Sequence, residues 1–335
     1  MARASPRALA AAAILIALAA VPVLAAVIGQ PFYLTLVARI MIFGLAALGL
    51  NLILGYGGMV SFGHAMYLGI GAYAVGILTF HGITSGWAHL TAALAIGLAA
   101  AILVGSVCLR TSGMAFIMIT LAFAQMFFFL AVSLKQYGGD DGISIASRSV
   151  FGSVNLSNAM LLYYAIYVVL LATLYGAWRL IHSRFGMVLR GCKSNERRMI
   201  SLGVPTLRYK LTAYVISAQV CVIAGVLLAN LTRFCSPAYM QWQVSGELIV
   251  MVVLGGMGTL LGPVAGAATL LLIEEVLSSL NLGLPWGIDS FIRDHWMGLL
   301  GLFIVFVVLT LKQGVRPPRR GPRRLGLICC SSKAW

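Results

Sequence analysis

Two short stretches are built so that main-chain dipoles, rather than side-chain nucleophiles, could do the chemistry. Residues 55–64 read Gly55-Tyr56-Gly57-Gly58-Met59-Val60-Ser61-Phe62-Gly63-His64, and residues 255–263 read Gly255-Gly256-Met257-Gly258-Thr259-Leu260-Leu261-Gly262-Pro263. Each carries Gly-Gly-Met, a further glycine, and then small residues: Gly69, Gly71 and Ala72 in one, Gly266, Ala267 and Ala268 in the other. Glycine adopts conformations that other residues resist, and Pro263 removes a helix donor. Both stretches therefore break helices and free amides and carbonyls for other partners. Paired interruptions of this kind in corresponding parts of two halves point to an internal repeat and a transport path. The competing reading is that small residues let helices pack closely in lipid. His64, alone among the five histidines, follows such a break. It could hydrogen-bond a solute, or serve as a packing histidine bonded to a carbonyl.

Other chemistry is missing. No lysine follows a glycine, so the phosphate-cradling Gly-x-x-x-x-Gly-Lys-Ser/Thr loop is absent, as are His-Glu-x-x-His, Cys-x-x-Cys and Gly-x-Ser-x-Gly. The six cysteines (Cys108, Cys192, Cys221, Cys235, Cys329 and Cys330) have no metal-ligand spacing and form no disulfide framework. Arg39, Glu247, Glu274 and Glu275 fall in apolar tracts. Ionisable groups there are costly and usually face a cavity or partner, but solvation at the interface, with long side chains reaching outward, accounts for these better than a proton relay. Asp140 and Asp141, in Gly138-Gly139-Asp140-Asp141-Gly142, have turn chemistry and could also receive a basic surface.

The elements that must position these groups are transmembrane helices. Of 335 residues, 61% are hydrophobic and 9% charged, against about 45–50% and about 25% in soluble domains. A soluble enzyme and a disordered chain are both excluded. Apolar blocks of bilayer-spanning length cover residues 8–28, 32–54, 59–80, 87–109, 114–134, 159–181 and 211–231, with a last one at 291–311. The first competes with a cleaved signal peptide. Residues 248–280 are too long for one crossing and too short for two with a loop, which predicts a broken hairpin turning at 255–263. Placing the N-terminus in the cytoplasm puts 18 of the 23 Lys and Arg residues on that side, as positive-inside sorting requires. The net charge of +15 is thus a topology signal and not a nucleic-acid footprint. The fold class is an all-α polytopic membrane protein of about 8–10 transmembrane helices. Residues 1–315 form the transmembrane domain, with a cytoplasmic loop at 183–210, and residues 316–335 form a basic, disordered cytoplasmic tail.

The loop at 183–210 is the most informative polar segment. From Phe185, the apolar residues Val188, Leu189, Cys192, Met199 and Ile200 recur at helical spacing, with Arg190, Lys193, Ser194, Arg197 and Ser201 on the other side. One amphipathic helix is predicted, ending at Gly203-Val204-Pro205. Such a helix can seat in a groove of a soluble partner or rest on anionic lipid.

Residues 48–78 (LGLNLILGYGGMVSFGHAMYLGIGAYAVGIL), 185–204 (FGMVLRGCKSNERRMISLGV) and 236–267 (SPAYMQWQVSGELIVMVVLGGMGTLLGPVAGA) closely resemble permease subunits of bacterial ABC importers for branched-chain amino acids, of the LivM/LivH type. With Gly-Gly-Asp-Asp-Gly after the fifth span, the chain is most similar to the LivM type. The resemblance implies a multi-pass subunit of the inner membrane that binds no cofactor itself. It pairs with a homologous permease, two cytoplasmic subunits that hold ATP and Mg, and a periplasmic solute-binding protein. It also implies that residues 185–204 couple to the ATPase through Phe185, Gly186, Asn195, Glu196 and Gly203, to which Arg190 and Lys193 are added as charged contacts. Arg197 and Arg198 depart from the small alanines usual in the family. The translocation path is expected along Asn51, Gly57, Gly58, Ser61, Gly63, His64, Gly255, Gly256, Gly258 and Thr259, and the contact with the binding protein at Asp140 and Asp141. Alternatives are a related permease for urea or short amides, an ion-coupled secondary transporter, and a membrane anchor without transport.

Overall fold

The computed structural model describes residues 18–22, 31–152, 154–156, 158–279, 298, 301–303 and 305. The predicted spans at 8–28 and 291–311, the tail at 316–335 and the division before it lie wholly or largely outside the described residues. The remainder is helical: α1 Pro31–Asn51, α2 His64–Phe80, α3 Gly86–Cys108, α4 Met114–Ser133, α5 Ala159–His182, α6 Arg184–Ser194, α7 Glu196–Ser201, α8 Thr206–Thr232, α9 Trp242–Gly255 and α10 Gly262–Ser279. Five are long and apolar enough to cross a membrane, α1 by continuing through a π-helical turn, Leu52–Tyr56; α2 and α9 are shorter apolar helices.

α8 is the hub. It packs on α1, α2 and α3 and buries Ala213, Tyr214, Ala218, Cys221 and Ala224. The α2–α8 approach is set by small residues: a methyl on Gly71 would run into the Val222 carbonyl, and one on Gly225 into the Leu68 carbonyl. Close backbone contact through small residues is how helices associate where lipid removes the hydrophobic drive. Because both obstacles are main chain, Gly225→Leu should cost about 1–3 kcal/mol or more. It should appear in detergent thermal unfolding as an earlier transition; an unchanged transition would mean that the two helices are not held at this distance.

Three expectations needed correction. The span predicted from residue 59 begins at His64, because residues 57–63 form the non-helical turn. The span predicted from residue 211 begins at Thr206, directly after Pro205, which closes off the preceding segment but cannot obstruct a helix that starts after it. The tract predicted from 248 starts at Trp242.

The broken hairpin is present. α9 and α10 pack side by side, and the chain reverses between them through Gly256 and Gly258, at φ 95° and 74°. A methyl on Gly266 would meet the Met251 carbonyl, so glycine also sets the closeness of the two arms. Both Gly-Gly-Met segments are helix reversals, and they lie at the same end of the bundle.

At the other end the connections carry short β pairs. β1 Ile143–Ser144 runs antiparallel to β4 Phe234–Cys235, and β2 Val150–Phe151 to β3 Val154–Asn155. Arg148 donates to the Asn230 and Leu156 carbonyls, 3.0 and 3.3 Å away, which ties this excursion to α8.

Candidate functional site: a basic segment stapled to paired glycine turns

Ser183 caps α6, its hydroxyl accepting from the Gly186 amide. The predicted single helix then divides at Asn195, whose backbone is extended (φ −160°, ψ 101°). Its side-chain oxygen accepts from the Arg198 amide at 3.1 Å and starts α7, the usual N-cap arrangement. The interruption resets the helical phase. Leu189 and Cys192 are buried as the periodicity required, but Ile200 is 57% exposed. Sequence reasoning also passed over Met187 and Leu202, which are exposed with Ile200. Arg197 and Arg198 are exposed as well, so α6–α7 presents three large apolar side chains among basic and polar ones.

The charged residues expected to contact a partner are occupied within the chain. Arg190 donates to the Gly186 carbonyl within α6 at 3.2 Å and to the Ile181 carbonyl at the end of α5 at 3.1 Å. Lys210 donates to the Glu196 carboxylate at 2.6 Å. The Lys193 ammonium donates to the Gly55 carbonyl at 2.7 Å, across 138 residues of sequence. Phe185 packs on Tyr209 with ring centroids 5.6 Å apart. Gly186 lies against the Ile181 main chain, where a Cβ would collide. Gly203, at φ 78°, ends the segment. Glu196 is about 40% exposed, so Glu196→Gln should cost under about 1 kcal/mol. A larger shift in thermal unfolding would show that this pair is shielded from solvent.

The first glycine turn meets the second. The Asn51 side chain donates to the Thr259 carbonyl at 2.7 Å and accepts from the Gly258 amide at 3.0 Å, and it is 1% exposed. Gly55 fits between Asn51 and Gly258 because it lacks a Cβ. A continuous line thus runs from α6 through Lys193, Gly55 and Asn51 to the α9–α10 turn. Gly58 is at φ 72°, and any side chain there would also strike the Lys193 stem.

Deeper in the bundle, His64 is completely buried and both ring nitrogens are engaged, Nδ1 by the Ser61 hydroxyl at 3.0 Å and Nε2 by the Ser217 hydroxyl at 2.9 Å. Ser217 gives its proton to the Gly49 carbonyl. It must therefore accept from Nε2–H, and Ser61 must donate to Nδ1. This is a neutral histidine with both ring nitrogens partnered. Ser61 also accepts from the Gly63 amide, while the Ala65 amide is held by Ser245 of α9.

Of the residues expected along the path, Gly57 and Gly58 line an open cavity of about 390 Å³. The remaining walls come from Met59 and Val60, the α3–α4 connection, the start of α4, and Cys192, Lys193, Glu196 and Lys210. Asn51, Gly255, Gly256, Gly258 and Thr259 form the clamped turns, and Ser61, Gly63 and His64 the buried network. Asp140 and Asp141 are exposed at the opposite end, in a turn with Gly138, Gly139 and Gly142 all at positive φ. No cluster of His, Cys, Asp or Glu able to hold a metal occurs among the described residues.

Apolar helices of crossing length, joined by glycine reversals and short connections, define a multi-pass membrane protein. A family model described as "Branched-chain amino acid transport system / permease component" matches residues 32–309. The chain is 26% identical over 309 residues to the high-affinity branched-chain amino acid transport system permease protein LivM of Salmonella typhimurium, covering 85% of this chain and 70% of that one. It is 27% identical to LivM of Escherichia coli K12 with the same coverage. With LivH of E. coli K12 it shares 28% identity over 264 residues, 72% of this chain and 82% of the relative. No solved structure matches. The chain belongs to the family of branched-chain amino acid transport system permease components.

Proposed function

We propose that this chain is the membrane-spanning permease subunit of an ATP-driven importer of branched-chain, aliphatic amino acids in the bacterial inner membrane. The observation that carries the reading is the staple between Lys193 and Gly55, which joins a surface suited to a soluble partner to the helix reversals inside the bundle. α6–α7 is cytoplasmic, together with both termini, in keeping with the concentration of Lys and Arg there. A homologous permease completes the conduit, two cytoplasmic subunits bind ATP and Mg and carry out hydrolysis, and a periplasmic binding protein approaches the Asp140–Asp141 turn.

Met187, Ile200 and Leu202 seat in the ATP-binding subunit, with Arg197 and Arg198 at the rim. Closure of the nucleotide-binding subunits displaces α6–α7, Lys193 moves the first turn, and Asn51 carries the motion to the second. The path opens and closes as these turns shift, with main-chain dipoles replacing the hydration of the zwitterion.

Reconstitution with the partner subunits in proteoliposomes tests this. Uptake of labelled leucine, isoleucine or valine should require ATP and the ATP-binding subunits. Uptake that survives loss of those subunits and collapses with the proton gradient would establish the ion-coupled alternative, and uptake of urea in place of amino acids would move the substrate class. Charges placed at the apolar docking positions, Ile200→Glu with Leu202→Glu, should abolish co-purification of the ATP-binding subunit, because two carboxylates would have to be desolvated in an apolar contact, while the permease still elutes as a folded species. Undiminished co-purification would place the docking surface elsewhere.

A further inference from the structure

The cavity between α6–α7 and the first glycine turn has a chemistry of its own. Its volume, about 390 Å³, lies in the range of roughly 300–1,000 Å³ usual for small-molecule sites. Lys193, Glu196 and Lys210 bring two positive charges and one negative to its lining, and Val60, Phe116 and Ile117 contribute apolar wall. None of the three charged groups is saturated by the bonds already described. An ammonium has three donors and Lys193 uses one on Gly55; a carboxylate has about four acceptor positions and Lys210 takes one on Glu196.

We propose that this cavity is a binding site for a free aliphatic α-amino acid at the cytoplasmic end of the permease. The ligand carboxylate lies against Lys193 and Lys210, its ammonium against Glu196, and its side chain against Val60, Phe116 and Ile117. No single-charge ligand uses all three groups, whereas a zwitterion does. The choice of an aliphatic amino acid rests on the transport reading above, and the charge pattern alone requires only a zwitterion with an apolar end.

The consequence is regulatory. A ligand joining Lys193 to Glu196 and Lys210 ties α6–α7 to the turn in one arrangement, favouring that arrangement to the extent that it binds it better than the moved one. Accumulated amino acid would then slow further import, a negative coupling between the inner pool and the transport cycle.

The test uses the purified permease in nanodiscs without its partners, probed with tritiated L-leucine in a scintillation proximity assay. Saturable binding is expected, with leucinol, which lacks the carboxylate, and isocaproate, which lacks the ammonium, competing about tenfold more weakly or worse. Ile117→Trp, which fills the apolar wall, should abolish binding. Ser112→Trp at the exposed rim is the second variant should Ile117→Trp not fold. Leucine binding unaffected by a folded filling variant, or no saturable binding at all, would overturn the proposal. In proteoliposomes of the complete transporter, preloading with leucine should slow uptake several-fold, and the folded filling variant should remove that inhibition. Inhibition that persists in the filled variant counts against the site. Leucine binding without ATP-dependent uptake would overturn the transport reading and leave the site standing, whereas uptake without binding would do the reverse.

Discussion

Lys193→Met should reduce ATP-dependent uptake by about tenfold or more while leaving the complex assembled and still hydrolysing ATP. The substitution keeps an unbranched stem of similar length over Gly58 and removes only the charge that donates to the Gly55 carbonyl. A hydrogen bond to a charged group is worth about 1.5–3 kcal/mol, roughly a tenfold to hundredfold change in an equilibrium. In the proposed mechanism that equilibrium is between moving with the first glycine turn and sliding past it. The two activities should therefore separate: hydrolysis continues and flux falls. If both activities fell together, Lys193 would be acting on assembly rather than on transmission.

Asn51→Leu should be damaging for another reason. The amide makes two hydrogen bonds to the second turn, and leucine, though apolar and of similar size, leaves the Gly258 amide and the Thr259 carbonyl without partners. Each orphaned group costs about 1–3 kcal/mol, so a loss of roughly 2–6 kcal/mol is expected, read as a lowered thermal transition in nanodiscs. Asn51→Asp is an informative companion, because it can still accept from Gly258 but presents an oxygen to the Thr259 carbonyl. It should be at least as harmful as Asn51→Leu if the donor to Thr259 matters. Wild-type stability in both variants would mean that the turns are held by packing alone.

The distinction between what the sequence discloses and what it conceals follows the range of the interactions. Long apolar blocks report spans directly, because the bilayer fixes their length. The reversal between α9 and α10 was legible for the same reason: the tract from residue 248 has the wrong length for any unbroken element, and the glycines mark where it turns. The division of α6 from α7 was hidden because Asn195 reads as an ordinary polar residue on a helical wheel. Only its extended backbone and its cap on Arg198 show that the phase is reset, turning Ile200 outward. An asparagine followed by Glu196 at the first helical position is a local signal that could have suggested it.

The bond from Lys193 to the first glycine turn was concealed more thoroughly. A lysine on the polar face of an amphipathic segment has a default reading, exposure to solvent or a partner, and nothing nearby in sequence contradicts it. Its acceptor lies 138 residues away. His64 shows the same limit. Its position after a glycine break makes a solute contact and a packing role equally natural, and its bond to Ser217 lies 153 residues further along. The small residues at Gly71 and Gly225 were visible as small, but their pairing across α2 and α8 needed the fold.

In the proposed mechanism α6–α7 is the lever on which the ATP-binding subunit pulls. Photo-crosslinking from Leu202 in the assembled transporter in its native membrane tests it most directly, with a second probe at Asp141 as the reference for the opposite face. Leu202 should capture the ATP-binding subunit, and Asp141 the solute-binding protein. Capture of the solute-binding protein from Leu202, or of the ATP-binding subunit from Asp141 alone, would contradict it.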